Sequence, residues 1–297
     1  MEWPDMVGWQ DHVRKYGVEQ FIRLYNKLKV IDGLFTRSMH CSVVVLVHLY
    51  LCLQNDSGRG LKWGDEVEYI IVKLDHEQKK ARVSLRAATL LDLLTRPEED
   101  MKRRAEESEG EPAEVKLPSL WRPEYASYMV EGTPGYPYGG SLNYFNTVEH
   151  NMRTRRQELE RLLDQDEFCF SISSFPRLGC PGFTSPPHQP DPRASFTRSL
   201  FWPSEATYLG HPRFARLSEN IRKRRGEKVA MNIPIFKDEN TPSPFREDLA
   251  AYGDDGSSAA AAKDDHIYLD AMGFGMGLCC LQLTFQVRPH RHYSGDT

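Results

Sequence analysis

Two pairs of acidic residues are the part of this sequence best suited to chemistry. Glu66 and Glu68 stand two apart at the start of a strand-like segment, and a strand points alternate side chains to the same face. Neighbouring carboxylates repel each other, so a folded protein tolerates them best on a wet surface or around a cation. The apolar run 69–72 indicates a substantially buried strand, which favours a cation. An exposed acidic edge is the alternative that this pattern leaves open.

Glu124 and Glu131 form the second pair, in a segment rich in aromatic residues. Their separation of seven positions is odd, so both side chains reach one site only if a bulge or bend lies between them. Four converging glutamates would supply the hard oxygen ligands that Mg²⁺ takes together with water and substrate phosphates. Mg²⁺ in turn bridges nucleotide phosphate oxygens during phosphoryl transfer. The alternative is that Glu131 merely precedes a turn and that Glu124 pairs with Arg122.

Other motifs carry weaker signals. The glycine-rich segments 175–183 and 272–277 match neither a Walker A loop nor a dinucleotide fingerprint, so tight turns explain them best. The basic run 222–225 is typical of a solvated helix end, with binding of an anionic substrate as the alternative. Cys279 and Cys280 are adjacent and poorly placed to bond to each other, which favours packing residues on a buried strand.

The elements that must position these residues are predicted from hydrophobic spacing and turn residues. The charged run 96–114 has almost no apolar anchors and predicts a mobile loop, and 250–265 predicts an exposed connection. Hairpins without a βαβ rhythm predict an α+β fold, with a largely antiparallel sheet and flanking helices. The predicted helices are 8–29, 87–95, 143–166 (capped by Ser141) and 213–225, and the predicted strands are 66–74, 81–86, 121–131, 167–175, 229–236, 266–272 and 278–287.

Composition narrows the classes of function. The 297-residue chain has a formal net charge of −4, which argues against a nucleic-acid or anionic-membrane binder. Its six cysteines show no CxxC pair, which argues against a zinc site or disulfide framework and suits a reducing cytoplasm. The mostly apolar segment 43–53 has 11 residues, and a bilayer-spanning helix needs roughly 20. We therefore predict no membrane span.

Several blocks along the chain resemble one family. Together they make the sequence similar to the catalytic subunits of animal glutamate–cysteine ligases. The blocks are KWGDEVEY (62–69), WRPEY (121–125), EGTPG (131–135), SFPRLGCPGF (174–183), HPRF (211–214), RRGEKV (224–229), PIFKD (234–238) and DAMGFGMG (270–277).

This resemblance implies an ATP-dependent ligase of the cytoplasm. Such an enzyme joins the γ-carboxyl of L-glutamate to L-cysteine through a γ-glutamyl phosphate, the first step of glutathione synthesis, and has a modifier (regulatory) subunit as its partner. The implied fold is similar to glutamine synthetase, with a curved antiparallel sheet. Cys280 would lie near the substrate amino acids. By motif, the implied Mg²⁺ ligands are Glu66, Glu68, Glu124, Glu131 and Gln282.

The chain also departs from the family pattern. Residues 1–286 resemble the N-terminal part of the catalytic domain, interrupted by a segment without family counterpart at 30–54, and 287–297 is an unmatched tail. Leu278 stands where relatives more often have a polar residue. Because the family continues well beyond this point, we expect the missing part to supply arginines for glutamate and the transferring phosphate, and part of the adenine pocket.

Both unmatched segments open with valine, at Val30 and Val287. Valine codons begin with GT, and introns also begin with GT. We therefore hypothesise that the segment 30–54 is an intron retained in frame, and that the tail 287–297 is the start of a second intron, translated as far as an early stop codon. On this hypothesis the chain alone turns over little or not at all. The alternatives are a truncated, non-catalytic form that binds the modifier subunit, and a product that never accumulates.

Overall fold

The computed structural model describes residues 62–107 and 117–286, together with Tyr16 and Glu19, which are both helical. The chain divides into two compact units, Met1–Leu61 and Lys62–Thr297. The rest of the predicted helix 8–29, the segment 30–54 and the tail 287–297 lie outside the described residues. The elements below belong to the second unit.

Nine strands make up two sheets in the described part of the chain. Seven form one sheet in the order β3-β4-β1-β2-β6, with β5 and β9 also pairing with β1, while β7 and β8 form a separate ribbon. All pairings are antiparallel except that between β2 and β6. The strands are β1 (Trp63–Asp75), β2 (Lys80–Ser84), β3 (Ser119–Pro123), β4 (Met129–Pro134), β5 (Glu167–Phe170), β6 (Thr184–Ser185), β7 (Met231–Pro234), β8 (His266–Leu269) and β9 (Leu281–Phe285).

Strand β1 organises the large sheet because its length lets four strands pair with it. β9 pairs with positions 63–67 and β4 with positions 67–70, so the overlap at Val67 puts these two strands on opposite edges of β1. β5 and β2 overlap in the same way at positions 72–73. The result is a mixed α/β fold with a curled sheet and helices. The predicted antiparallel sheet is confirmed, and the similarity to glutamine synthetase stays a prediction.

Both faces of β1 are covered in its apolar centre. Tyr69 and Ile71 join a cluster with Leu159, whereas Ile70 and Val72 join a larger cluster on the other face. Strand alternation therefore buries this segment from two sides, as the apolar run predicts. The helices are α1 (Ala87–Leu94), α2 (Arg96–Glu107), α3 (Phe145–Glu160), α4 (Pro212–Arg225), and the short α5 (Ser257–Ala261) and α6 (Gly273–Met276).

The prediction of a mobile loop at 96–114 is wrong for 96–107, which form helix α2. The charges that suggested a loop are arranged to support a helix. Glu98 and Glu99 lie in the first turn, where their negative charges interact favourably with the positive end of the helix dipole. Lys102 Nζ lies 2.7 Å from Glu98 Oε1 at helical spacing. Residues 108–114 lie outside the described residues.

The single strand predicted at 121–131 is also wrong. It consists of the end of β3, a turn, and the start of β4, which pair as a hairpin. Two aromatic side chains fix the turn through distant partners: Tyr125 Oη lies 2.7 Å from Ser218 Oγ, and Tyr128 Oη donates to Gly277 O at 2.9 Å. No local pattern records these contacts.

Other predicted boundaries shift by a few residues. The long helix 143–166 is a 3₁₀ turn at Leu142–Tyr144 followed by α3, and the Ser141 side chain makes no capping hydrogen bond. The strand predicted at 167–175 ends at Phe170. The last strand begins at Leu281, and its residues are exposed rather than buried. The glycine-rich segment 272–277 contains the short helix α6.

Candidate metal centre

Glu68, Glu124 and Glu131 converge at the hairpin made by β3 and β4. Glu68 is the direct partner of Glu131 in the ladder of β1 and β4, and Glu124 follows the last residue of β3. One carboxylate oxygen from each residue lies within 4.8 Å of the others. Ligands on opposite sides of a Mg²⁺ ion with bonds of about 2.1 Å stand about 4.2 Å apart. The 4.8 Å limit is slightly longer than this, so a small side-chain movement would bring the three oxygens onto one ion.

Glu68 is held from the segment around β9. Its Oε2 accepts a hydrogen bond from the Cys280 backbone N–H at 3.0 Å. Its Oε1 accepts from Cys280 Sγ at 3.1 Å and from Gln282 Nε2 at 3.0 Å. Because only 4% of Glu68 is exposed, these bonds replace water and fix the direction of the carboxylate. Gln282 uses its amide nitrogen here, which leaves its carbonyl oxygen free for a cation.

Glu66 lies beside the cluster rather than in it. It is the ladder partner of Gln282, and its Oε1 accepts a hydrogen bond from Thr284 Oγ1 at 2.5 Å. Glu66 lines the same cavity as Glu124 and Glu131. The structure therefore brings all four predicted glutamates and Gln282 to one region, and three of the carboxylates, those of Glu68, Glu124 and Glu131, place oxygens within 4.8 Å of one another.

The cluster is electrostatically strained without a cation. Burial, followed by the hydrogen bond and charge of Glu124 and then the charges of Glu66 and Glu68, raises the pKa of Glu131 to about 8. Burial and then contact with Glu68 raise the pKa of the Cys280 thiol to about 11, so this thiol stays protonated at neutral pH. A bound divalent cation would offset the repulsion among the carboxylates.

A cavity of about 380 Å³ opens above the carboxylates, and part of its wall is basic. Helix α4 begins there: His211 Nδ1 accepts from the Arg213 backbone N–H at 3.1 Å, and the Arg213 guanidinium lies 4.8 Å from the centroid of the Phe214 ring. The positive end of the α4 dipole therefore faces the cavity. The cavity is lined by Glu66, Arg122, Pro123, Glu124, Glu131, His211, Arg213, Phe214 and Gln282.

Two of these basic residues were missed by the sequence reasoning about chemistry. His211 and Arg213 belong to the HPRF block, which carried the family resemblance, and that block was the available signal. Arg122 was considered only as a partner for Glu124, and this alternative is wrong. Its guanidinium pairs instead with Glu98 of α2, with Nη1 donating to Oε2 at 2.7 Å and Nη2 to Oε1 at 3.1 Å.

A buried arginine supports the site from the opposite face of the sheet. Arg155 of α3 is fully buried and donates to Asp65 Oδ2 at 2.5 Å and to Gly132 O at 2.6 Å. Tyr138 Oη donates to the other oxygen of Asp65 at 2.9 Å. Asp65 precedes Glu66 and Gly132 follows Glu131, so Arg155 joins the two strands at the level of the carboxylates.

The remaining motifs lie elsewhere or serve packing. Arg222 and Lys223 line a separate cavity of about 690 Å³, away from the carboxylates. A Cβ on Gly179 would lie 2.7 Å from the Phe274 ring, and one on Gly277 would lie 2.3 Å from Tyr128 Oη. Both glycines are therefore required by close packing against a side chain, and Gly179 also has a positive φ of 86°, as a tight turn can require. Leu278 packs partly buried against the larger cluster.

Together, the curled sheet and its oxygen-only donor set define a mixed α/β protein with a site of the type that hard divalent cations occupy. The donor set fits such an ion in its chemistry, because all three converging groups are carboxylates and their oxygens lie within 4.8 Å of one another.

Comparisons with known proteins agree with the resemblance in the sequence. The family model described as glutamate-cysteine ligase matches residues 1–292. The catalytic subunits of human and rat glutamate–cysteine ligase are 47% and 46% identical to this chain over 287 residues. The glutamate–cysteine ligase of Schizosaccharomyces pombe is 35% identical over 339 residues. The chain belongs to the glutamate–cysteine ligase family.

The match covers 96% of this chain but 39% of the human and rat proteins, and 97% of this chain but 46% of the S. pombe protein. The chain therefore spans about two fifths of the length of these mammalian relatives. Among the residues that the structure describes, no helix is both long enough and apolar enough to cross a membrane.

Proposed function

We propose that this chain provides a Mg²⁺ site for an ATP-dependent ligase that joins L-glutamate to L-cysteine. The observation that carries the proposal is the meeting of three carboxylate oxygens, from Glu68, Glu124 and Glu131, within 4.8 Å of one another. In a family that ligates glutamate to cysteine, such a cluster suits the metal that accompanies ATP. Glu66 and Gln282, which line the same cavity, are the further candidate ligands.

Bound Mg²⁺ would supply charge neutralisation at the phosphate oxygens of ATP. The protein's own contribution is orientation. Hydrogen bonds from Cys280 and Gln282 fix the Glu68 carboxylate, so the oxygen lone pair that accepts none of these bonds has a defined direction. Thr284 orients Glu66 in the same manner. Such supporting hydrogen bonds hold metal ligands in the geometry that binding requires.

The basic wall of the cavity suits an anionic group of the nucleotide or of glutamate. Arg213 and the first turn of α4 bring positive charge to a cavity whose other wall is acidic. A ligand that carries both a metal ion and negatively charged oxygens matches both walls at once. MgATP has this composition.

The proposed reaction is the one implied by the family. ATP would phosphorylate the γ-carboxyl of L-glutamate, and the amine of L-cysteine would displace phosphate to give γ-glutamylcysteine. Cys280 lies beside Glu68 and is proposed to be near the substrate amino acids. We also propose a sheet related to that of glutamine synthetase, the modifier subunit as partner, and a cytoplasmic location, which suits the free thiols of Cys169, Cys180, Cys279 and Cys280.

Nucleotide binding and turnover test the proposal in the same samples. We expect the purified chain to bind the non-hydrolysable analogue AMP-PNP only when Mg²⁺ or Mn²⁺ is present. Glu68→Gln should abolish metal-dependent binding, and Arg213→Ala should weaken nucleotide binding while leaving binding of the metal alone intact. Chromatographic detection of γ-glutamylcysteine, formed from glutamate, cysteine and ATP, would show the complete reaction. Equal AMP-PNP binding with and without metal would contradict the proposal.

Binding of the modifier subunit to this chain is tested separately, by co-purification of the two proteins. Co-purification without formation of γ-glutamylcysteine would favour the non-catalytic, partner-binding form of the chain. Co-purification together with turnover would favour the ligase.

A further inference from the structure

Arg122 is a cation positioned to interfere with the carboxylate cluster. It is the direct ladder partner of Glu131, so the two side chains lie on the same face of the sheet. It also lines the cavity that contains Glu124 and Glu131. Opposite charges at directly paired positions normally attract each other across a ladder. An arginine here would therefore be expected to bind the glutamates itself.

The structure shows a different partner. Arg122 bonds through two nitrogens to both oxygens of Glu98, and its Nη1 also donates to the Trp121 backbone carbonyl at 2.6 Å. Parallel bonds of this type fix the plane of the guanidinium as well as its position. Glu98 is only 8% exposed and also pairs with Lys102, so α2 holds it firmly beside β3. The bond with Arg122 lowers the pKa of Glu98.

The competition matters because arginine cannot lose its proton under ordinary conditions. A guanidinium that bonded to Glu131 and Glu124 would neutralise the same oxygens that a divalent cation needs. A metal ion would then have to displace the arginine as well as water. Pairing with Glu98 removes this competitor from the carboxylates.

We propose that Glu98 is a positioning residue that holds Arg122 away from Glu68, Glu124 and Glu131, and so keeps this cluster available to a divalent cation. The inference rests on the proposed function, since it assumes that the cluster binds a metal. It assigns a role to helix α2, whose sequence predicted only a loop. It also explains why a buried carboxylate lies outside the cluster beside a cavity-lining arginine.

Titration with Mn²⁺ alone tests the inference. Binding is measured by calorimetry and by the loss of the electron paramagnetic resonance signal of the free ion. Glu98→Ala should weaken Mn²⁺ binding about tenfold, the lower end of the effect of changing a supporting residue. The double variant Glu98→Ala/Arg122→Ala should regain an affinity close to that of the wild type, because the competing cation is gone. Glu99→Ala is the matched control: it removes the same charge from an exposed position in the same turn of α2.

The double variant distinguishes positioning from a general loss of structure. If Glu98→Ala weakens binding but the additional change at Arg122 does not restore it, the role of Glu98 is structural and the inference is overturned. If Glu98→Ala binds Mn²⁺ like the wild type, the inference is overturned and the proposed metal site stands. If the wild type binds no Mn²⁺, both the inference and the proposed metal site are overturned. Thermal unfolding in EDTA identifies any variant that fails to fold.

Discussion

Glu68 of β1 and Glu131 of β4 are direct partners across an antiparallel ladder. Like charges in this position destabilise a sheet, and here Glu124 adds a third carboxylate. Neither glutamate contributes to the apolar clusters that stabilise the sheet. Full ionisation of the three groups is therefore unfavourable in the metal-free fold, and a cation makes the ionised cluster favourable.

The first prediction concerns the pH dependence of stability without metal. Burial, followed by the neighbouring carboxylates, raises the pKa of Glu131 from its ordinary value of 4.5 to about 8 in the folded protein. Because the folded state binds this proton more tightly than the unfolded state, the contribution to stability is complete below about pH 4.5 and is lost as pH rises through 8. In EDTA, the midpoint temperature of unfolding should therefore fall between pH 6 and pH 9.

The control for this prediction is Glu131→Gln, which keeps the shape but cannot ionise. In EDTA the variant should lose less stability than the wild type over the same pH range. Saturating Mg²⁺ should also reduce the decline in the wild type, because the ion stabilises the ionised cluster, and it should have little effect on the variant. Parallel pH profiles for wild type and variant in EDTA would argue against a raised pKa at Glu131.

The second prediction concerns the buried ion pair on the opposite face of the sheet. Arg155→Met should lower the free energy of unfolding by about 3–5 kcal/mol, because it leaves the buried carboxylate of Asp65 without its charged partner. Denaturant titration measures the loss. Arg153→Ala removes an exposed arginine of the same helix that pairs with Glu149, and it should change stability by less than about 0.5 kcal/mol. Similar losses for both variants would contradict the structural role of Arg155.

The third prediction concerns Gln282, the amide that contacts Glu68 and lines the cavity. Gln282→Leu should weaken Mn²⁺ binding by about 10–100-fold, because it removes a hydrogen bond that orients a ligand and an amide oxygen available to the ion. Gln286→Leu is a matched control, since Gln286 is exposed and bonds through its backbone N–H. Equal affinities for the two variants would exclude Gln282 from the site.

The sequence predicted the hairpin of β1 and β2 and the buried centre of β1, because alternating and apolar patterns are local. It failed at 96–107, since a count of charges does not show that Glu98 and Lys102 pair at helical spacing. It also failed at the turn between β3 and β4, which depends on the contacts of Tyr125 and Tyr128 with distant segments.

The candidate site was predictable only in part. Spacing put Glu66 and Glu68 on one face, but the odd separation of Glu124 and Glu131 is resolved by a turn that no local pattern recorded. Arg213 and His211 reach the cavity because α4 begins there, which depends on packing between distant parts of the chain. The arginines that the resemblance implies for glutamate and phosphate stay a prediction for the missing part, while Arg213 adds positive charge to the cavity in this chain.

The central claim is that Glu68, Glu124 and Glu131 together bind one divalent cation. Equilibrium titration of the purified wild-type chain with Mn²⁺, read from the free-ion electron paramagnetic resonance signal, tests it most directly. The claim predicts one saturable site that Mg²⁺ displaces and that Glu68→Gln and Glu131→Gln each remove, while Glu99→Ala retains it. Saturable binding that survives both changes, or no saturable binding by a folded wild type, would contradict it.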